Sequence, residues 1–168
     1  MMQWRAPPVA GLAVALAALF AGTPGQSAEP TIEQACSRLL ISYAWATDSN
    51  DLEGIVGAYA PDGVLENARA RVAGRVAIER YFRDRVAERR ASGFGTRHVV
   101  SNIAITRIDR RFATGTAYET VYRFPVAGPH PAGSLEPILV GTLTARFVIS
   151  GGQCRFLLRK ADEVLRDG

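Results

Sequence analysis

Three separated polar residues in this chain could do chemistry together. Tyr43 and Asp48 fall in one helical segment, and His98 ends the run Thr96-Arg97-His98. An imidazole titrates near neutrality, so it can take or give a proton at working pH. A carboxylate on its other nitrogen fixes the tautomer and stabilises the imidazolium. A phenol can donate to a carbonyl as negative charge develops there. Brought together in an apolar pocket, the three would form an acid–base site suited to a small ring-like molecule. Each also has a plainer role open to it. Tyr43 continues the apolar stripe of Leu39 and Leu40, where it would be a core tyrosine with a satisfied hydroxyl. Asp48 sits where the helix breaks and can bind turn amides. His98, at a strand start, can be structural. Tyr43 and Asp48 lie about 140° apart round an ideal helix. They converge only if the helix end bends or the pocket wraps it.

The elements that must position them are readable from periodicity. Pro30-Thr31 precedes Ile32, Cys36, Leu39, Leu40 and Tyr43, spaced three and four apart, which predicts an amphipathic helix to about Thr47. Asn50 followed by Glu53 is a capping-box-like start for a short helix over 52–59. Pro61-Asp62-Gly63 reads as a turn, Val64 to Asn67 as a short strand, and Arg71-Val72-Ala73 as another. Gly74 precedes a third helix, Val76 to about Arg90, with Ile78, Tyr81, Phe82 and Val86 on one side. Ser92-Gly93-Phe94-Gly95 ends it. The period then changes to two. His98 to Ile108 and Phe112 to Phe124 are strands, with Arg110-Arg111 at the hairpin between them. In the strand from Leu135 to Ile149, Leu139, Gly141, Leu143, Ala145, Phe147 and Ile149 alternate with more polar positions. Gly151-Gly152 turns the chain into a last strand, Gln153 to about Glu163. Pro125 to Gly133, holding three Pro and two Gly, reads as an exposed loop, a candidate lid, with His130 solvated in it. Helices first and long antiparallel strands after them make an α+β pattern. A strongly curved sheet around the helices would enclose one apolar cavity.

Composition bounds the function. At 168 residues, 48% of them hydrophobic, the chain is one domain with a sizeable core. Arg5, an apolar run from Val9 to Ala21 and the small residues of 23–28 read as a cleaved secretory signal over residues 1–28, too short to span a bilayer. Its removal takes away Arg5 and no acid, so the net charge falls from +4 to +3. No stable membrane association is expected after cleavage, and the expected location is secreted or periplasmic. The basic residues are almost all Arg, and those from Arg80 to Arg90 alternate with Glu79, Asp84 and Glu88. That predicts a solvated helix face with ion pairs rather than a nucleic-acid patch. Cys36 and Cys154 either form a disulfide, which an oxidising compartment permits, or are two buried thiols. No Cys/His spacing suggests a metal site, and no cofactor is expected.

The order and spacing of several segments resemble a known superfamily. Ile32-x6-Leu39-x3-Tyr43-x4-Asp48-x2-Asp51-Leu52, then Tyr59-Ala60-Pro61-Asp62-Gly63-Val64, is similar to the opening of nuclear transport factor 2-like proteins. Gly74-Arg75-x2-Ile78-x3-Phe82, Thr96-Arg97-His98-x3-Asn102-x2-Ile105 and Gly151-Gly152-Gln153-Cys154-Arg155-Phe156-x2-Arg159 resemble its SnoaL-like branch. The resemblance covers about residues 31–160. It implies a cone of three N-terminal helices and a curved mixed or antiparallel sheet around a deep pocket, often dimeric through the sheet. It also implies a small hydrophobic ligand. The superfamily holds dehydratases, isomerases, epoxide hydrolases and polyketide cyclases beside non-enzymatic members. Asp48 and His98 match the Asp–His pair of scytalone dehydratase. Tyr43, Asp48, His98 and Arg159 match the polar set of bile-acid dehydratases in type and approximate spacing. Asn67 falls at or near the basic Asp of ketosteroid isomerase, and Cys154 replaces a usual Trp.

On this reading His98 is the general acid/base, Asp48 its orienter and Tyr43 the carbonyl donor. Arg159 would bind a substrate carboxylate or enolate. Strand parity, however, pairs it with Arg155 and Leu157, away from Phe156, which would turn it to solvent or a partner. Asn102 shares parity with His98 and would line the same pocket. Glu119, in mid-strand, is a further lining candidate.

Overall fold

The computed structural model describes residues 30–126 and 137–166. Residues 1–28 and most of the proposed loop, with His130, lie outside these. Among the described residues three helices come first: α1 (Ile32–Asp48), α2 (Leu52–Gly57) and, after two strands, α3 (Arg75–Ser92). Six strands, β1 (Tyr59–Asn67), β2 (Ala70–Ala73), β3 (Phe94–Arg107), β4 (Phe112–Pro125), β5 (Pro137–Ser150) and β6 (Gln153–Arg166), form one open sheet in the order β2-β1-β6-β5-β4-β3. Among the described residues only β1 and β6 run parallel. This is the expected α+β cone, with helices on the inner side of a curved mixed sheet.

Local chemistry explains the elements. Thr31 caps α1 in a full capping box with Gln34, their reciprocal bonds being 3.1 and 3.2 Å. The α1 stripe then buries Cys36, Leu40, Tyr43, Ala44 and Thr47. The cap of α2 is Asp51, whose carboxylate accepts from Gly54 N at 3.0 Å, rather than Asn50. Asn50 instead takes a left-handed φ of 57° between the two helices. Pro61-Asp62-Gly63 is not a turn: it is an irregular stretch inside β1, where the register with β6 shifts between Tyr59 and Val64. Gly63 fits because a Cβ there would lie 2.7 Å from Phe156 O. β3 begins four residues earlier than its sequence periodicity indicates. Alternation in β5 is as read, with Gly141, Leu143, Ala145 and Phe147 buried. Gly151 and Gly152, at φ 57° and 72°, make the turn into β6.

Tyr59, Phe147, Phe156, Leu40, Ile55, Leu65, Ile78 and Leu143 are sealed between the helices and the inner sheet face. Tyr43, Tyr59 and Phe156 meet edge-on or tilted, with centroids 5.3–5.8 Å apart. Cys36 and Cys154 are disulfide-bonded, with Cα atoms 5.2 Å apart, so α1 is tied to the start of β6.

Two bulges re-aim side chains. In β3 the register with β4 shifts between Ser101 and Ala104, and Asn102 there has a φ of 53°. Asn102 is consequently exposed and outside the cavity, contrary to simple parity. In β6, Leu157 is the extra residue, since Phe156 pairs with Phe147 and Leu158 with Arg146. That one-residue slip puts Arg159 on the same inner face as Phe156. Arg159 is 6% exposed and does not point to solvent.

Candidate active site

A cavity of about 420 Å³ opens between α3, the end of α1 and the inner face of β1, β3, β4, β5 and β6. Its apolar wall includes Leu65, Phe82, Val121, Leu139 and Ala161. Of the residues singled out from sequence, it is lined by Tyr43, Asn67, His98, Glu119 and Arg159.

Asp48 stands behind His98 rather than on the cavity wall. It borders a smaller apolar recess of about 320 Å³ with Ile41, Trp45 and Val99. Its Oδ1 lies 2.6 Å from His98 Nδ1, its Oδ2 accepts from His98 N at 3.0 Å, and the Thr96 hydroxyl donates to Oδ1 at 3.2 Å. The side chains of His98 and Asp48 are 14% and 6% exposed. Burial alone would raise the Asp48 pKa. The side-chain and backbone hydrogen bonds from His98, the charge of a protonated His98 and the Thr96 hydroxyl outweigh it, so the carboxyl sits below its ordinary range. Asp48 therefore reaches His98 from the last position of α1, and Tyr43 faces the cavity separately. The two α1 residues do not converge; among the described residues only His98 lines both the cavity and the recess.

Tyr43 is both core and lining. Tyr59 donates to its hydroxyl oxygen at 3.1 Å, and the Arg159 guanidinium lies 4.6 Å from its ring centre. Burial pushes the Tyr43 pKa up, so the phenol stays protonated, a donor. Glu119 and Arg159 form a buried ion pair. Arg159 holds its proton more tightly than a free guanidinium. Burial works against its charge, but Glu119 and the neighbouring tyrosines prevail. Asn67 is fixed as a turn residue, its Oδ1 accepting from Arg69 N and Ala70 N at 2.9 and 3.0 Å. Its Nδ2 lies 3.5 Å from the Tyr81 hydroxyl. Glu66 faces away and pairs with Arg71.

The α3 arginines divide in a way the charge pattern did not reveal. Arg83 pairs with Glu79 on the exposed face as expected. Arg85 and Arg89, however, line the cavity. The signal was present: Tyr81, Arg85 and Arg89 are spaced by four, so they continue one edge of the helix's inward stripe. Arg85 pairs with Glu88 at 2.8 Å and packs over Tyr81. Among the described residues no group of three or more His, Cys, Asp or Glu side chains is disposed to hold a metal ion.

Helices packed into an open curved sheet, with a polar cluster in the cavity between them, define the class of cystatin-like α+β cones. The chain belongs to the SnoaL-like domain family, whose model matches residues 29–165. Several solved structures share the fold. One is a proposed scytalone dehydratase from Novosphingobium aromaticivorans, with a TM-score of 0.63 and 21% identity, covering 78% of this chain and 83% of its own. ActVI-ORFA from Streptomyces coelicolor gives 0.64 and 16% identity, over 77% and 95% of the two chains. A cystatin-like protein of unknown function from Nostoc punctiforme gives 0.62 and 19% identity, over 78% and 91%. No curated protein matches the chain in sequence at a significant level.

Proposed function

We propose that this protein is an acid–base enzyme acting on a small, largely apolar cyclic carbonyl compound, with dehydration the leading reaction. The observation that carries the reading is the 2.6 Å contact between Asp48 Oδ1 and His98 Nδ1 beside an open cavity. With Asp48 ionised, the imidazole keeps its proton on Nδ1 and presents Nε2 as the base. No hydrogen bond engages Nε2 among the described residues. Nε2 would take the proton from the carbon next to the carbonyl. Tyr43 would donate to the carbonyl oxygen as charge builds there. The Nε2 proton would then pass to the departing hydroxyl, which leaves as water while the carbon–carbon double bond forms. Returning the proton to another carbon would give isomerisation instead.

The chain is further proposed to be exported and dimeric. Support for export is the apolar run of 9–21 and the Cys36–Cys154 bond, which suits an oxidising compartment. Support for a dimer is the exposure of Val99 and Tyr118 on the outer sheet face.

The test is a screen of cyclic hydroxy-ketones, steroids and phenolics for water loss, followed by pH–rate profiles. His98→Ala is expected to abolish turnover at every pH. An unchanged profile would overturn the reading. One observation favours a second, non-catalytic reading: Asp48 also holds the His98 amide and the Thr96 hydroxyl, as a structural carboxylate would. A binding module predicts ligand affinity without turnover, unaltered in Asp48→Asn.

A further inference from the structure

Arg89 has the wrong surroundings for a surface arginine. It lies on the cavity wall near the end of α3, and its Nε and Nη2 are cut off from water with no acceptor among the described residues. These two atoms form one edge of the guanidinium, where two N–H bonds run parallel at the spacing of a carboxylate's oxygens. Leaving such donors unmet is costly.

Among the described residues the carboxylates of this wall, and Asp48 behind it, already have partners. Asp48 is close enough for its charge to act on Arg89. Yet Asp48 Oδ1 is committed to His98 Nδ1 and the Thr96 hydroxyl, and Oδ2 to the His98 amide. Glu88 is taken by Arg85 and Glu119 by Arg159. The wall as a whole carries five arginines, with Arg69 and Arg123 beyond those already named, against three glutamates. Arg159 adds another sealed donor, its Nε, with no partner among the described residues. Burial accordingly pulls the Arg89 pKa down, opposed by the charge of Asp48.

We infer that Arg89 is the anchor for an acid group on the ligand, and that the ligand class is a small cyclic carboxylic acid. The ring would lie against Phe82, Val121 and Leu139, with the carboxylate paired side-on to the Nε–Nη2 edge after a small swing of the guanidinium. A carboxylate suits the site better than a phosphate dianion, because Glu88, Glu119 and Glu163 share the wall. The inference rests on the cavity being the ligand site proposed above, but not on catalysis.

Calorimetric titration of the purified protein with 1-naphthoate, 1-naphthamide and 1-naphthyl phosphate tests it. The acid should bind at least about tenfold more tightly than the amide. Arg89→Gln should erase that preference while leaving amide affinity in place, and Arg89→Lys, which keeps charge but not the paired edge, should retain only part of it. Equal affinity for acid and amide, binding of neither, or an undiminished preference in Arg89→Gln overturns the inference. Tighter binding of the phosphate than of the acid overturns the carboxylate class. Should Arg89→Gln fail to fold, full preference in Arg89→Lys overturns the paired edge. Failure of the acid–base reading shows in turnover, and failure of this one in binding.

Discussion

Replacing Glu119 by Gln removes one negative charge from the inner face of β4 with almost no change of shape. Glu119 is 4% exposed and its partner Arg159 6%. Glu119 is also the main favourable influence on the charge of Arg159, but a guanidinium is basic enough to keep its proton without that partner. It would then be a buried cation facing an amide and the Tyr43 ring, 4.6 Å away. Removing one member of a buried pair costs about 3–5 kcal/mol. For a chain of this size that lowers the melting temperature by about 6–20 °C. Urea unfolding followed by circular dichroism measures the loss directly. The paired variant Glu119→Gln/Arg159→Met removes both charges and should recover more than half of it, because no ion is left in the wall. Glu119→Gln within about 1 kcal/mol of wild type would mean that Arg159 reaches water. A double variant no more stable than the single one would refute the uncompensated charge as the cause.

Three other outcomes are expected. Reduction of Cys36–Cys154, which closes a loop of 118 residues, should cost about 2–4 kcal/mol, below the chain-entropy ceiling of about 5. The urea midpoint with and without dithiothreitol measures it, and Cys36→Ser/Cys154→Ser should show no such difference. Asp48 has a folded pKa below its unfolded value, so its contribution to stability is present above the ordinary carboxylate range and is lost as pH falls through the lower folded value. The stability gap between wild type and Asp48→Asn should therefore be widest near neutrality and close in acid, as read from unfolding curves across pH; a constant gap would contradict it. Gly63→Ala drives a Cβ to within 2.7 Å of Phe156 O and 3.0 Å of Ala60 O, both backbone atoms, and should cost about 1–3 kcal/mol. A neutral effect on thermal unfolding would show that β1 and β6 can part there.

What sequence could reveal was whatever repeats. The stripe Cys36, Leu39, Leu40, Tyr43 marks α1, and the alternation from Gly141 to Phe147 marks β5, because burial on one face imposes a period. Breaks in the period hid the rest. Leu157 adds one residue to β6, and Arg159 changes face. Asn102 absorbs the β3 bulge and leaves the cavity that parity assigns to it. The Cys36–Cys154 link joins positions 118 apart, where nothing local distinguishes a bond from two buried thiols. Arg85 and Arg89 were concealed by composition. Their acidic neighbours made the helix look uniformly solvated, while their spacing from Tyr81 placed them inward.

The disulfide also sets where the cone can breathe. Cys36 pins α1 to the root of β6, and Asp48 stands twelve residues further along the helix, about 18 Å away at 1.5 Å per residue. Between the two points the helix buries Leu40, Tyr43, Ala44, Ala46 and Thr47, so α1 is held at both ends and along one face. Losing the Asp48–His98 contact would release the end of α1 beside His98, while Cys36 keeps the other end attached to the sheet.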